Sequence, residues 1–181
     1  MRLYKNVDIC DLASIIEKGL LSMDECGNCN WDEGKRASND TSLVYLFRPI
    51  KKCNSFPEYG IALLEVECDA TLNKMLDTDV HKNDYEEYVV GKVKSEDIKR
   101  VIIPEIFQEF INIPEGIEIC WCGFQANYYN NSEKCNAGDD VLKQFAKTAP
   151  LEDAMCFNFF RGVEENGEVM DLYDVVYVFE Q

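Results

Sequence analysis

The stretch RLYKNVDICDLASIIEKGL, residues 2–20, says most about the fold. Its first six residues predict a short opening strand. In the segment 11–20, apolar side chains recur at i, i+3, i+4 and i+8, which predicts an amphipathic helix with one apolar face: Leu12, Ile15, Ile16 and Leu20. Asp8 or Asp11 is expected to cap that helix, because a carboxylate accepts hydrogen bonds from the free N–H groups of a first turn. Gly19 is expected to end it.

Strand patterns dominate the rest of the chain. Apolar or β-branched runs between polar turns predict strands at 42–47, 60–68, 84–93, 99–103 and, as one long strand, 116–129. Asn166-Gly167 predicts the tight turn of a hairpin. Two further helices are expected at 104–111, where Pro104 suits a first turn, and at 138–149. One helix near the start followed mostly by strands predicts an α+β fold rather than a doubly wound parallel sheet.

Composition favours one cytoplasmic domain, residues 1–181. A chain of 181 residues with 46% hydrophobic content is large enough to bury an ordinary core. The first ten residues lack the apolar stretch of a signal peptide, and the apolar runs are too short to cross a membrane. The nine cysteines are odd in number and irregularly spaced, which favours free thiols in a reducing compartment.

The charge is strongly negative and unevenly distributed. Residues 1–60 hold 8 Lys+Arg against 9 Asp+Glu, whereas residues 61–181 hold 10 against 25, so the net charge of −16 lies mostly in the second part. Such a surface repels nucleic-acid phosphates, since binding them requires a basic surface. A small anionic ligand would meet a more favourable local field in the first third of the chain.

Three segments carry the candidate functional residues. The first is Arg2-Leu3-Tyr4-Lys5-Asn6-Val7 with the helix that follows it. The second is Val44-Tyr45-Leu46-Phe47, preceded by NWDEGKRASNDTSL. The third is Tyr85-Glu86-Glu87-Tyr88-Val89-Val90, followed by the strand around Val101.

In this order and spacing, the segments resemble the ADP-ribosyltransferase superfamily. The opening is similar to that family's first strand, Leu-aromatic-His-Gly, and its following helix. The strand at Tyr45 is similar to the Gly-Ile-Tyr-Phe-Ala strand of poly(ADP-ribose) polymerases, and the strand at Glu87 to their Asn-Glu-Tyr-Ile-Val. The stretch 30–50 resembles the DNA-modifying toxin branch, in which an arginine precedes the second strand. The resemblance covers residues 1–105, and 106–181 would complete the domain with unassigned strands and helices.

The resemblance implies split antiparallel sheets with a helix after the first strand, and NAD as the cofactor. It implies that Glu87 is the catalytic carboxylate and that Tyr45 stacks on nicotinamide. Lys5 would take the place of the family's first-strand His or Arg, beside Tyr4 and Asn6 of the same strand. Arg36 would be the arginine of the toxin branch. As a toxin or phage factor, such a protein would modify a protein or a small molecule rather than DNA, given its acidic surface.

The chemistry of NAD cleavage explains why such a site would need a carboxylate. Breaking the bond between nicotinamide and ribose leaves positive charge on the ribose, as in glycoside cleavage, and a fixed carboxylate stabilises it. The chain departs from the family in three places. Lys5 has no acceptor atom, Asn6 replaces a glycine, and Tyr85 removes the Glu-x-Glu pair of arginine-modifying members.

Other interpretations stay open. A glutamate in a strand is commonly a solvent-facing residue opposite a lysine, and a tyrosine in an apolar strand is commonly a packing residue. The chain could be an acidic, non-catalytic interaction or inhibitor protein on a degenerate fold, with a basic protein as its partner. A zinc module would use Cys26 and Cys29 with Cys120 and Cys122, but the two pairs lie far apart and packing thiols explain them better, so no metal is expected. His81 is the chain's only histidine, which disfavours Ser-His or Cys-His catalysis.

Overall fold

A computed structural model describes residues 1–27, 39–50, 62–74, 85–109 and 114–122, and the backbone of five further strands between 124 and 177. The protein is a mixed α+β structure with few helices and much strand, as the sequence predicts. The two α-helices of the described part are α1 (Leu12–Lys18) and α2 (Met23–Cys26). Single 3-10 turns lie at Ile9–Asp11, Ser95–Asp97 and Glu105–Phe107.

Seven strands form the main sheet: β1 Arg2–Val7, β2 Val44–Pro49, β3 Ala62–Glu67, β4 Thr71–Leu72, β5 Tyr85–Val90, β6 Ile98–Pro104 and β7 Glu118–Cys122. Their order across the sheet is β4-β5-β2-β1-β3-β6-β7. Neighbouring strands are antiparallel except β6 and β7, which are parallel.

A second sheet has the order β12-β8-β9, from β8 (Phe124–Asn130), β9 (Glu133–Ala137) and β12 (Leu172–Tyr177). Strands β10 (Val163–Glu165) and β11 (Glu168–Met170) form an antiparallel hairpin in which Glu165 pairs with Glu168. The hairpin expected around Asn166-Gly167 is therefore confirmed.

The core lies on both faces of the central strands. In β3, the side chains of Leu63, Leu64 and Val66 are fully buried, so its continuous apolar run reflects packing on two sides rather than alternation. Strands β1 and β6 add Leu3, Val101 and Ile103, also fully buried. The burial of these large side chains stabilises the arrangement by about 1.5–3 kcal/mol each.

Helix α1 ends as expected but begins differently. Gly19 has φ +83° and donates its N–H to the Ile15 carbonyl at 2.7 Å, which closes the helix. Asp11 stands at the N-cap, but among the described contacts its side chain does not cap the first turn. Its backbone is already helical (φ −85°, ψ −13°), whereas a capping side chain needs an extended backbone. The cap predicted at Asp11 is therefore wrong, and the alternative cap at Asp8 stays a prediction.

Two further predictions are wrong. The segment 116–129 forms two strands in different sheets, because β7 pairs with β6 whereas β8 pairs with β9 and β12. The helix predicted to begin at Pro104 is one 3-10 turn, because β6 runs on through Pro104 in its pairing with β7 and the turn then buries Phe107. The helix predicted at 138–149 lies outside the described residues.

Within the described residues, every helix is too short or too polar to cross a bilayer.

Candidate functional site

Sheet register brings the second and third predicted segments to one face. In the pairing of β2 with β5, Phe47 lies opposite Glu87 and Tyr45 opposite Val89. Residues opposite each other, and residues two apart along one strand, share a face of the sheet. Tyr45, Phe47 and Glu87 therefore lie on the same face, although 42 residues separate Tyr45 from Glu87 in sequence.

The first segment joins this face through Tyr4. Tyr4 pairs with Phe47 across β1 and β2, and their ring centroids lie 6.0 Å apart. Phe47 in turn meets the edge of Tyr85, with centroids 5.9 Å apart and an interplanar angle of 71°. We call the side of the sheet that carries Tyr4, Phe47 and Tyr85 the aromatic face. Edge-to-face packing of this kind favours a fixed ring geometry beside Glu87.

Glu87 is a buried carboxylate held by an amide. Its exposed fraction is 6%, and its Oε1 accepts a hydrogen bond of 2.6 Å from Nδ2 of Asn73. The main chains of the two residues also meet, since Asn73 N–H donates to the Glu87 carbonyl at 2.8 Å. The alternative in which Glu87 is a solvent-facing strand residue is therefore wrong.

Lys5 lies close enough to Glu87 for their charges to interact. Its Nζ donates a hydrogen bond of 3.2 Å to the main-chain carbonyl of Tyr45. Burial lowers the pKa of the Lys5 ammonium, and the negative charge of Glu87 opposes that shift. Lys5 leaves β1 on the side opposite Tyr4, so its long side chain reaches the β2 main chain from the other face of the sheet.

The ring of Tyr45 is anchored at its hydroxyl. The hydroxyl oxygen accepts a hydrogen bond of 2.6 Å from the Asp40 N–H. Asp40 Oδ1 in turn accepts hydrogen bonds from the N–H and the hydroxyl of Ser42, at 2.9 and 2.6 Å, and these bonds lower the pKa of the Asp40 carboxyl. A small Asx-type turn therefore fixes the position of the aromatic ring.

A second buried carboxylate, which the sequence patterns did not predict, lies opposite Tyr4 on β3. Glu65 is 5% exposed, and its Oε2 accepts from Arg100 Nε at 3.0 Å and contacts Arg100 Nη2 at 2.9 Å. The exposed Arg2 lies 3.3 Å from Oε1, and the Tyr4 hydroxyl donates to Oε2 at 3.4 Å. Burial, and then the charge of Glu65, raise the pKa of the Tyr4 hydroxyl. The sequence signal is an acidic residue inside the apolar run of β3.

Of the remaining candidate residues, Asn6 is described by the structure, whereas three others are not. Asn6 is buried, with 5% exposure, and shares the aromatic face with Tyr4 by alternation. Arg36, Cys29 and His81 lie outside the described residues. Across the ranges that the structure describes, potential metal-ligating side chains do not gather in groups of three or more.

The arrangement can therefore hold a desolvated carboxylate and an anchored aromatic ring on one face of a sheet, with a cation reaching in from the other. Comparison with models of known protein families, with curated proteins and with solved structures found no match to this chain. The likeness to ADP-ribosyltransferases consequently stays a hypothesis that depends on the quoted residues.

Proposed function

We propose that this chain is an NAD-dependent, ADP-ribosyltransferase-like enzyme that transfers ADP-ribose to a protein or small-molecule acceptor. The observation that carries the proposal is the buried Glu87 carboxylate, fixed by Asn73 on the same sheet face as Tyr45. Stabilising a transient ribosyl cation requires a preorganised negative group more than a proton donor. A buried, hydrogen-bonded carboxylate meets that requirement better than a solvated one.

The order of the strands supports the same proposal. Strands β5, β2 and β1 are neighbours in the sheet, and they are the strands that carry the three segments resembling the family. A helix, α1, follows the first strand. On this basis we propose an ADP-ribosyltransferase-like fold of split antiparallel sheets, in which the segments meet around one ligand.

In the proposed reaction, the bond between nicotinamide nitrogen and ribose C1′ breaks, and its electron pair stays on the nitrogen. The ribose carries the positive charge, which Glu87 stabilises through a hydrogen bond to a ribose hydroxyl. The Tyr45 ring stacks on the departing nicotinamide. The acceptor then attacks C1′ and loses its proton to water.

The other proposed contacts follow from position and charge. Tyr4 and Asn6 share the aromatic face, where they would border the bound NAD. From the other face of the sheet, Lys5 would act on the ligand through its charge rather than by direct contact, and Arg36 would act on the nicotinamide side. The net charge of −16 favours a protein or small-molecule acceptor over DNA.

A second candidate is an acidic, non-catalytic interaction or inhibitor protein on a degenerate version of the same fold. The observation that favours it is the net charge of −15 carried by residues 61–181. A basic protein partner would be attracted to such a surface, and the attraction would weaken as salt is added.

Release of nicotinamide from NAD separates the two candidates. We expect release by the wild type and a loss of about 100-fold or more in kcat for Glu87→Gln, the scale seen when one electrostatic catalytic group is removed. Glu86→Gln is the matched control, because Glu86 lies on the opposite face and pairs with the exposed Arg48. It should keep kcat within about threefold, since exposed ion pairs contribute little.

Two results would contradict the proposal that the chain is an NAD-dependent enzyme. One is a wild type that neither releases nicotinamide nor binds NAD by calorimetry. The other is equal activity in Glu87→Gln and Glu86→Gln. Salt-sensitive binding of a basic probe protein by an inactive wild type would instead favour the interaction protein.

A further inference from the structure

Asn73 lies outside the three segments that resemble the family. It nevertheless makes two hydrogen bonds to Glu87, the proposed catalytic residue. It directly follows β4, whose Thr71 and Leu72 pair with β5. Its N–H donates to the Glu87 carbonyl at 2.8 Å, which continues the β4–β5 pairing by one residue. Its side-chain Nδ2 donates to Glu87 Oε1 at 2.6 Å. The sheet edge and the carboxylate are therefore held by the same residue.

We propose that Asn73 is a positioning residue that orients the Glu87 carboxylate for the reaction. The inference depends on the proposed function, since it gives Asn73 a part in that same chemistry. One oxygen of the carboxylate is occupied by the amide, and this fixes the plane in which the carboxylate meets the ribose. The main-chain bond keeps the amide itself in register with β5.

Burial explains why a donor is needed at this place. At 6% exposure the carboxylate has lost most of its water, and a buried charge needs replacement hydrogen bonds. A side chain free to rotate would also have to reorganise as positive charge develops on the ribose. The Asn73 amide, held on a paired strand, contributes to both needs.

The residue type matters because an amide is neutral. Glu87 already interacts with the Lys5 cation, and Asn73 adds a hydrogen-bond donor without adding a second charge. An aspartate at position 73 has nearly the same shape but would bring two carboxylates within hydrogen-bond distance. Two such groups share one proton, because both cannot easily be ionised together.

This difference defines an experiment with a readout beyond simple loss of activity. Initial rates of nicotinamide release from NAD are measured across pH for the wild type, Asn73→Ala, Asn73→Asp and the matched control Thr71→Ala. Thr71 is exposed on the same edge strand, so its variant should behave as the wild type does. Thermal unfolding of each variant checks that the fold is kept.

For Asn73→Ala we expect kcat to fall about 10- to 100-fold, as for groups that orient metal-ligating carboxylates, with KM for NAD within about threefold. For Asn73→Asp we expect the acid side of the kcat profile to move up by at least about one pH unit, with activity recovering at high pH. A purely structural role predicts an equal loss at every pH.

Suppose that the wild type is active and Glu87→Gln is not. Unchanged kcat in Asn73→Ala, or a loss of activity in Asn73→Asp that is the same at every pH, would then overturn the inference about Asn73 and leave the proposed function standing. A wild type that releases no nicotinamide would overturn the proposed function and the inference together.

Discussion

The ammonium of Lys5 donates a hydrogen bond of 3.2 Å to the main-chain carbonyl of Tyr45, and thereby joins β1 to β2 beside Glu87. This contact keeps a cation inside the sheet, where burial disfavours its charged form. Strands β1 and β2 are thus linked by a polar bond as well as by the packing of Tyr4 on Phe47.

The partly buried ammonium of Lys5 predicts a stability that rises with alkaline pH. The pKa of Lys5 is lowered from 10.5 in the folded state, so between the folded value and 10.5 the unfolded chain binds more protons. Stability therefore increases with pH through that window. Urea unfolding of the wild type and of Lys5→Met between pH 7 and 10 should show the wild type gaining free energy of unfolding relative to the variant. A difference that stays constant with pH would contradict this.

Tyr45 should act through its ring rather than through its hydroxyl. The hydroxyl accepts a hydrogen bond from the Asp40 main chain, whereas the ring is proposed to stack on nicotinamide. We expect Tyr45→Phe to keep kcat/KM for NAD within about threefold and Tyr45→Ala to lower it about tenfold or more. If Tyr45→Phe is as impaired as Tyr45→Ala, the hydroxyl carries the role instead.

Glu65 should contribute to stability and not to the reaction. Its removal leaves Arg100 without the carboxylate that it now contacts at 2.9 Å, but Arg100 is partly exposed and can regain water. We expect Glu65→Ala to lower the free energy of unfolding by about 2 kcal/mol, below the usual cost of breaking a fully buried pair. Glu67→Ala, at the exposed end of the same strand, should change it by less than about 0.5 kcal/mol. Equal denaturant midpoints for the two variants would contradict the prediction.

Gly19 should tolerate no side chain. Its φ is +83°, and a Cβ there would collide with the Val93 carbonyl oxygen, where Leu20 pairs with Val93. We expect Gly19→Ala to destabilise the protein by about 3 kcal/mol or more, from backbone strain and the clash together. Gly91→Ala is the control, because a Cβ at that position meets open space. Similar thermal midpoints for both variants would show that the turn at Gly19 adapts freely.

The sequence predicts what depends on local pattern. Alternation and apolar runs locate β1, β2, β3 and β5 because burial acts on neighbouring residues of one strand, and Gly19 ends α1 because few other residues adopt its backbone angle. The resemblance adds the expectation that Tyr45 and Glu87 belong to one site. The register of β2 with β5 places both residues on one face of the sheet.

The sequence does not predict contacts that depend on long-range register. The hydrogen bond from Asn73 to Glu87 spans 14 residues, and that from Arg100 to Glu65 spans 35. Neither pair follows a spacing rule, because sheet pairing rather than helix or turn geometry brings them together. Pro104 shows the converse, since its local preference for a helix start is overridden by the pairing of β6 with β7.

A crystal structure of the Glu87→Gln variant with NAD bound would test the central claim most directly. This substitution keeps the shape of the side chain and slows turnover, so intact NAD should remain. We predict a ribose hydroxyl within hydrogen-bond distance of the side chain at position 87, and the nicotinamide ring against Tyr45. NAD bound away from these two residues, or no NAD at saturating concentration, would contradict the claim.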